Sequence, residues 1–257
     1  MSLHITNDDI QSCLLGNTVL TTLTTHGYLL YTLNMLKSLQ PFGLDKKVLI
    51  IAVDEKAYTI LRRMGYHTVC IHHNLGAFYP WNSKGYDDIC YYKIELIYHI
   101  LSLNKHVLLI DGDIVFQKDP RDDIMEWDES TEDVWIQNDG IDDDEIYNMC
   151  TGYMFIRSNT KMIKLYDIHN AKQKYAKCAL INNDQTYFNQ FVKPSCIMAA
   201  LPLRLYPNGS VFYNAAEVRD SAILVHFNWV KGHEKLVKMK KYGMWLLTPH
   251  EETVFVR

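Results

Sequence analysis

The chain predicts an α/β fold, a single domain with a mostly parallel central sheet flanked by helices. Three observations predict it. Short β-branched or apolar runs alternate with helix-spaced segments through the first hundred or so residues. The run 107–110, inside KHVLLIDGDIVFQKDP, is apolar throughout, as a strand covered on both faces requires. That run stops at Asp111-Gly112-Asp113, and open α/β sheets gather their ligands at such carboxyl ends.

The elements follow in order. TVLTTLT at 18–24 is β-branched and apolar and predicts a first strand. After a Thr25-His26-Gly27 turn, Leu29, Leu33 and Leu36 recur at helical spacing over 28–39. A second strand over 48–53 ends in Asp54, a helix runs to Met64 and stops at Gly65, and a third strand covers 67–71. This β-α-β-α-β order implies right-handed crossovers and a doubly wound sheet. Residues 72–87, rich in Gly, Pro, Asn and aromatics, predict a long loop of the functional kind. A helix over 89–103 feeds the central strand. Strands are expected at 134–137 and 151–156, and helices at 160–175 and 183–191. Pro202, Pro207 and Gly209 punctuate short strands before a last strand over 223–226. A loop and basic helix over 231–242 close the pattern.

At 257 residues the length suits one large domain or two small ones, with ample core. Hydrophobic content of 48% and charged content of 22% describe an ordinary globular protein. A net charge of −4 argues against a general nucleic-acid binder. The charge is uneven: residues 122–145 carry only acidic charges, whereas Lys231, Lys235, Lys238, Lys240 and Lys241 form a basic segment that would draw an anionic ligand. No apolar run approaches the roughly 18 residues of a membrane span. MSLHITNDDIQ lacks the basic and apolar regions of a signal peptide, so the expected location is cytoplasmic. The six cysteines (Cys13, Cys70, Cys90, Cys150, Cys178, Cys196) contain no CxxC pair and are expected to be reduced packing residues.

Asp111 and Asp113 flank a residue without a side chain, so both can crowd one small object. Hard cations such as Mg²⁺ and Mn²⁺ favour such oxygen ligands and share them with phosphates. Taken alone, the same three residues also fit a solvated turn. His226 alone fits a core histidine, and Asp184 alone fits an ordinary helix N-cap.

Five blocks taken together carry more. They are TTLTTHGY at the first strand end, AVDEKA at the second, Lys93 separated by seventeen residues from DGDIVFQKDP, the pair TGYMFIRS and NDQTYFN, and HFNWVKGHEKLVKMKKYGMW. In this order the chain resembles the nucleotide-sugar-dependent glycosyltransferases of GT-A fold over about 19–245. Glycosyltransferase family 77 is the nearest likeness, and family 8, the glycogenin-like enzymes, the next. The resemblance implies a metal site of Asp111, Asp113 and His226, the histidine tilting the choice from Mg²⁺ toward Mn²⁺. It implies that Gly232 and Lys235 close over the diphosphate of a UDP-sugar donor. Thr24, Thr25, Tyr28 and Asp54 would hold uridine, Lys93 and Gly112 would contact the donor, and Asp139 would hydrogen-bond the donor sugar. Gly152 would sit in a turn facing donor and acceptor, with Asp184 and Gln185 beside the anomeric carbon. The implied nucleotide-binding half is about 18–116 and the acceptor half about 117–257. Cys150 departs from the pattern, which has Asn before Thr-Gly, and Trp81 with the 72–87 loop matches no position.

The implied activity is metal-dependent sugar transfer to a glycan or other hydroxyl acceptor, with retention of configuration. Two other classes fit parts of the sequence. DGDIVF also matches the motif of haloacid-dehalogenase-type phosphohydrolases, with Asp111 as nucleophile, although about three strands precede it here instead of none. A non-catalytic nucleotide-sugar-binding module would need the same blocks without their chemistry.

Overall fold

The apolar runs become a sheet of eight strands, seen in a computed structural model that describes residues 3–71, 79, 83–178 and 183–256. The strands are β1 (Leu14–Leu15), β2 (Thr18–Thr24), β3 (Leu49–Ala52), β4 (Thr68–Cys70), β5 (His106–Ile110), β6 (Ile114–Phe116), β7 (Val134–Asn138), β8 (Met149–Ile156), β9 (Met198–Leu201) and β10 (Leu224–His226). Their order in the sheet is β4-β3-β2-β5-β8-β7-β9, with β1 paired to β2, while β6 and β10 form a separate antiparallel pair. The expected α/β architecture is present. β4, β3, β2 and β5 run parallel, as do β7 and β9. β8 is antiparallel to both β5 and β7, and the two-residue β1 is antiparallel to β2.

Strand β5 shows why residues 107–110 are apolar throughout. Its side chains alternate across the sheet. Val107 and Leu109 enter one core beneath the helix Lys84–Ser102, with Ile94, Ile97 and Leu101. Leu108 and Ile110 enter the other beneath Leu29–Leu39, with Leu33, Leu36 and Leu39. All five residues of β5 are buried, as are all seven of β2. A central strand of this kind leaves only its ends for chemistry.

The structure departs from the sequence pattern at several boundaries. The helix expected at 89 begins at Lys84, because Ser83 accepts a hydrogen bond from Tyr86 N (3.4 Å) and caps it. Of the loop expected over 72–87, residues 72–78 and 80–82, Trp81 included, lie outside the described residues. The helix expected over 160–175 is two, Thr160–Tyr166 and Ile168–Tyr175, broken where Asp167 caps the second. Between β9 and β10 the expected short strands are absent, whereas the last one, expected over 223–226, is β10. Asn208 instead caps a helix, Gly209–Asn214. Three further helices, Asn7–Ile10, Arg121–Glu129 and Pro249–Val256, have no counterpart in the sequence pattern. Among the described residues no helix is long and apolar enough to cross a membrane.

This arrangement makes β5 the structural spine. Leu108→Ala should lower the unfolding free energy by about 2–5 kcal/mol in urea titrations, whereas Met125→Ala, at a partly exposed side chain, should change it by less than about 0.5 kcal/mol. Equal effects would show that the core is not organised around β5.

Candidate active site

β2 and β5 are neighbours, yet the chain runs outward from β2 through β3 and β4 before returning to β5 on the other side. Carboxyl ends that diverge in this way leave a crevice. A cavity of about 720 Å³ opens there, and every residue singled out from the sequence lines it except Asp54. Asp54 caps the helix Glu55–Arg63 through Ala57 N (3.0 Å) and accepts from His26 N (2.7 Å), so both its oxygens are engaged by backbone.

Asp111 and Asp113 leave β5 and meet His226 at the end of β10, with one ligand atom of each within 4.8 Å of the others. Two glycines permit this. A Cβ on Gly152 would lie 2.3 Å from His226 Cε1 and 3.0 Å from Asp111 Oδ2, and a Cβ on Gly112 would lie 2.6 Å from Thr32 Oγ1. The β8 strand brings Gly152 to this point because Asp111 N donates to Gly152 O at 2.7 Å. Two carboxylates and an imidazole in this space fit a divalent metal cation.

Gln137 orients the histidine. Its Nε2 donates to Tyr206 O and Pro207 O (3.0 and 3.1 Å), which turns Oε1 toward His226 Nδ1 at 2.8 Å. Nε2 of the ring is then left to face Asp113 Oδ1 at 3.3 Å. Gln137 follows a register shift in the β7–β8 ladder, an irregularity of the kind that re-aims side chains beside active sites.

The charges of Asp111, Asp113 and Asp184 are paired with those of Lys93, Lys235 and His226. Lys235 donates to Asp113 and to Tyr28 OH (2.9 Å). Burial works against the charged form of Asp113, but the Lys235 ammonium and His226 hold its carboxyl well below the usual range. Burial likewise opposes a proton on His226, and Asp113 outweighs it, holding the imidazole well above its usual pKa. Lys93 donates to Asp111 Oδ1 (2.6 Å) and Asp184 Oδ2 (3.3 Å). These carboxylates keep it protonated against the cost of burial. Gly232, at φ +52°, starts the helix His233–Lys241 that carries Lys235.

Asp184 is not the cap that its position suggested. Asn183 caps the helix Asp184–Tyr187 by accepting from Thr186 N (2.6 Å). The Asp184 side chain instead enters the cavity, bound by Thr151 Oγ1 (2.7 Å) and Lys93. Gln185 donates to Asp139 Oδ2 at 3.0 Å. Two cysteines also exceed the packing role expected of all six. Cys90 and Cys150 line the cavity, and Cys150 Sγ lies 3.5 Å from His226 Nδ1. All six are free thiols. Gln137, Thr151, Asn228 and Trp229 contribute to the site without having been singled out. The only sequence signal for Gln137 was a lone amide closing an apolar strand.

The family model for nucleotide-diphospho-sugar transferases matches residues 43–241. The chain belongs to that family. The phosphohydrolase reading of DGDIVF is therefore set aside. The chain is 25% identical to the UDP-galactose:fucoside alpha-3-galactosyltransferase of Dictyostelium discoideum over 88% of its length, but spans only 42% of that relative. It is 22% identical to the UDP-D-xylose:L-fucose alpha-1,3-D-xylosyltransferase of Arabidopsis thaliana, covering 91% of this chain and 71% of the relative. Its fold matches the galactosyltransferase LgtC, solved with donor and acceptor sugar analogues, at a TM-score of 0.57 and 15% identity, covering 92% of this chain and 99% of that one. The cavity in this chain is lined from β2, β5, β8, the helices Lys84–Ser102 and Asp184–Tyr187 and the segment after β10.

The cap assignment is testable apart from chemistry. Asn183→Ala should lower stability by about 1 kcal/mol in urea titrations, and Asn183→Ser should recover most of it. No loss in Asn183→Ala would return the capping role to Asp184.

Proposed function

We propose that this chain moves a sugar from a UDP-sugar to a hydroxyl of a fucoside, forming an α linkage with retention of configuration and needing a divalent metal. The observation that carries the proposal is the convergence of three charged groups with separate tasks on one cavity. They are the Asp111–Asp113–His226 cluster, the Lys235 ammonium and the Asp184 carboxylate. The donor and acceptor classes are supported by the names of the two relatives, both of which specify a UDP-sugar and fucose or a fucoside. An α linkage made from the α-diphosphate of galactose or xylose is made with retention.

Asp111, Asp113 and His226 would hold Mn²⁺, which supplies neutralisation of the negative charge that builds on a departing diphosphate. Lys235 would contact the diphosphate as a point charge, with the Gly232 backbone free to approach it. Thr24, Thr25 and Tyr28 border the end of the cavity formed by β2 and would hold the nucleoside. This reading gives residues 18–116 most of the nucleotide and 117–257 the acceptor and the closing segment. Asp184, fixed by Thr151 and Lys93, would stabilise the oxocarbenium character of the sugar, with Gln185 beside it. The bond from C1 to the diphosphate oxygen breaks as the acceptor oxygen bonds to C1 on the same face. The acceptor proton passes to the departing phosphate oxygen.

The direct test incubates purified protein with UDP-galactose or UDP-xylose, methyl α-L-fucoside and Mn²⁺ and measures UDP release and disaccharide. Product should form, vanish with EDTA and return with Mn²⁺. Full transfer in EDTA removes the metal from the proposal, and transfer only to other glycosides removes the fucoside. A second measurement isolates Lys235. Lys235→Ala should weaken UDP binding in the presence of Mn²⁺ by about tenfold to a hundredfold by calorimetry, the size of one charge-assisted contact. Lys240→Ala, whose ammonium pairs with Glu252 (3.2 Å), should have little effect. Equal losses would indicate a diffuse basic face.

A further inference from the structure

Trp229 holds a conformation that packing does not explain. Its φ is +62°, a left-handed value that among the described non-glycine residues only Asn104 shares. Asparagine adopts this region readily, whereas for a bulky aromatic it is an outlier. Strained backbone of this kind gathers at functional sites. Burial does not compensate the strain, because Trp229 is 59% exposed. It nevertheless lines the cavity, three residues past His226.

The indole is held by its polar edge. Nε1 donates to Asp139 Oδ1 at 3.0 Å, and Asn228 Nδ2 donates to the same oxygen at 3.1 Å. The other oxygen, Oδ2, accepts from Gln185 Nε2 and Asn148 Nδ2, both at 3.0 Å. A carboxylate offers about four acceptor sites. Four neutral N–H donors fill those of Asp139, so a sugar hydroxyl could bind it only by displacing one of them. In this geometry Asp139 joins the indole rigidly to Gln185 instead of reaching the donor sugar.

We infer that Trp229 is the specificity-determining platform for the acceptor sugar, its ring face stacking on the C–H face of a pyranose, and that Asp139 is the positioning residue that fixes the platform relative to Gln185. The inference rests on the glycosyltransferase reading above. An indole presents a wide, stiff, apolar face that loses little entropy on binding. A 6-deoxyhexose such as fucose carries a methyl group where other hexoses carry a hydroxyl, which suits such a face.

The test is steady-state kinetics on the full chain with Mn²⁺ and UDP-galactose or UDP-xylose, using methyl α-L-fucoside and the methyl glycosides of galactose and glucose as acceptors. UDP affinity is measured in parallel by calorimetry. Trp229→Ala should raise the KM of the preferred acceptor by roughly tenfold, a typical effect of losing an aromatic face, and leave the UDP Kd within about twofold. Trp229→Phe, which keeps a face and loses the N–H, should fall between wild type and Trp229→Ala. Asp139→Asn turns an NH₂ group toward its former donors and should raise the acceptor KM too. Combined with Trp229→Phe it should add less than the sum of the two, because both act through one contact. An unchanged acceptor KM in Trp229→Ala, or a UDP Kd that rises in step with it, overturns the platform. Additive effects in the double variant overturn the positioning role of Asp139. A fucoside that saturates the wild type but ignores Trp229→Ala removes the platform and leaves the fucoside reading. Another glycoside whose KM depends on Trp229 keeps the platform and removes the fucoside. If no glycoside saturates the wild type, both fall.

Discussion

The structure depends on a carboxylate, that of Asp113, buried where water cannot solvate it. An ionised carboxylate without a partner in such a place would cost several kcal/mol. Its partners are the imidazole of His226 and the ammonium of Lys235, the latter 122 residues further along the chain. The pairing therefore fixes where the last quarter of the chain must lie. β10 aligns against β6 so that His226 stands opposite Ile114, and the helix His233–Lys241 docks so that Lys235 reaches both Asp113 and Tyr28. Asn34 reinforces the same closure by donating to Met244 O and accepting from Leu246 N. Electrostatics and topology thus agree on a single arrangement.

The antiparallel β8 has a functional consequence. A parallel crossover would have placed a helix between β5 and its neighbour. The β7–β8 hairpin instead brings Cys150, Thr151 and Gly152 directly beside Asp111. Thr151 then orients Asp184, and the missing side chain of Gly152 leaves space for His226. The loop joining these two strands carries Asp139 and Asn148, so one hairpin frames both the cluster of charged groups and the outer rim of the cavity.

How much of this was legible depends on how far each feature lies from its own sequence neighbourhood. Strands buried on both faces announce themselves, and β2 was read to the residue. The Asp-Gly-Asp step, His226 and Lys235 were legible only as an ordered set of blocks, since each has an ordinary explanation alone. The helix Arg121–Glu129 was hidden because only Ile124 and Trp127 are buried, and its acidic run reads as surface. The start of the helix at Lys84 was hidden by Gly85, which suggests a loop. The Asn183 cap lies one residue before Asp184, which taken alone fits a cap equally well, so composition cannot tell which of the two caps the helix. Gln137 and Trp229 were illegible for another reason. Their roles come from a ladder irregularity and a left-handed backbone, both set by tertiary context.

The charge balance of the site follows from the same pairings. Asp111, Asp113 and Asp184 bring three negative charges, and Lys93, Lys235 and the protonated His226 bring three positive ones. The centre is neutral by itself, as a partly dry pocket requires. A divalent cation entering alone would leave it positive even after His226 gave up its proton, and would compete with Lys235 for Asp113. A diphosphate entering alone would face two carboxylates already satisfied. A cation held by Asp111, Asp113 and His226 would displace the His226 proton, so the centre would gain one positive charge, which the diphosphate of a bound donor would offset, and Lys235 could exchange a carboxylate partner for a phosphate one. Low dielectric magnifies each of these differences, so in the proposed function the protein's own ion pairs would favour taking up metal and donor together.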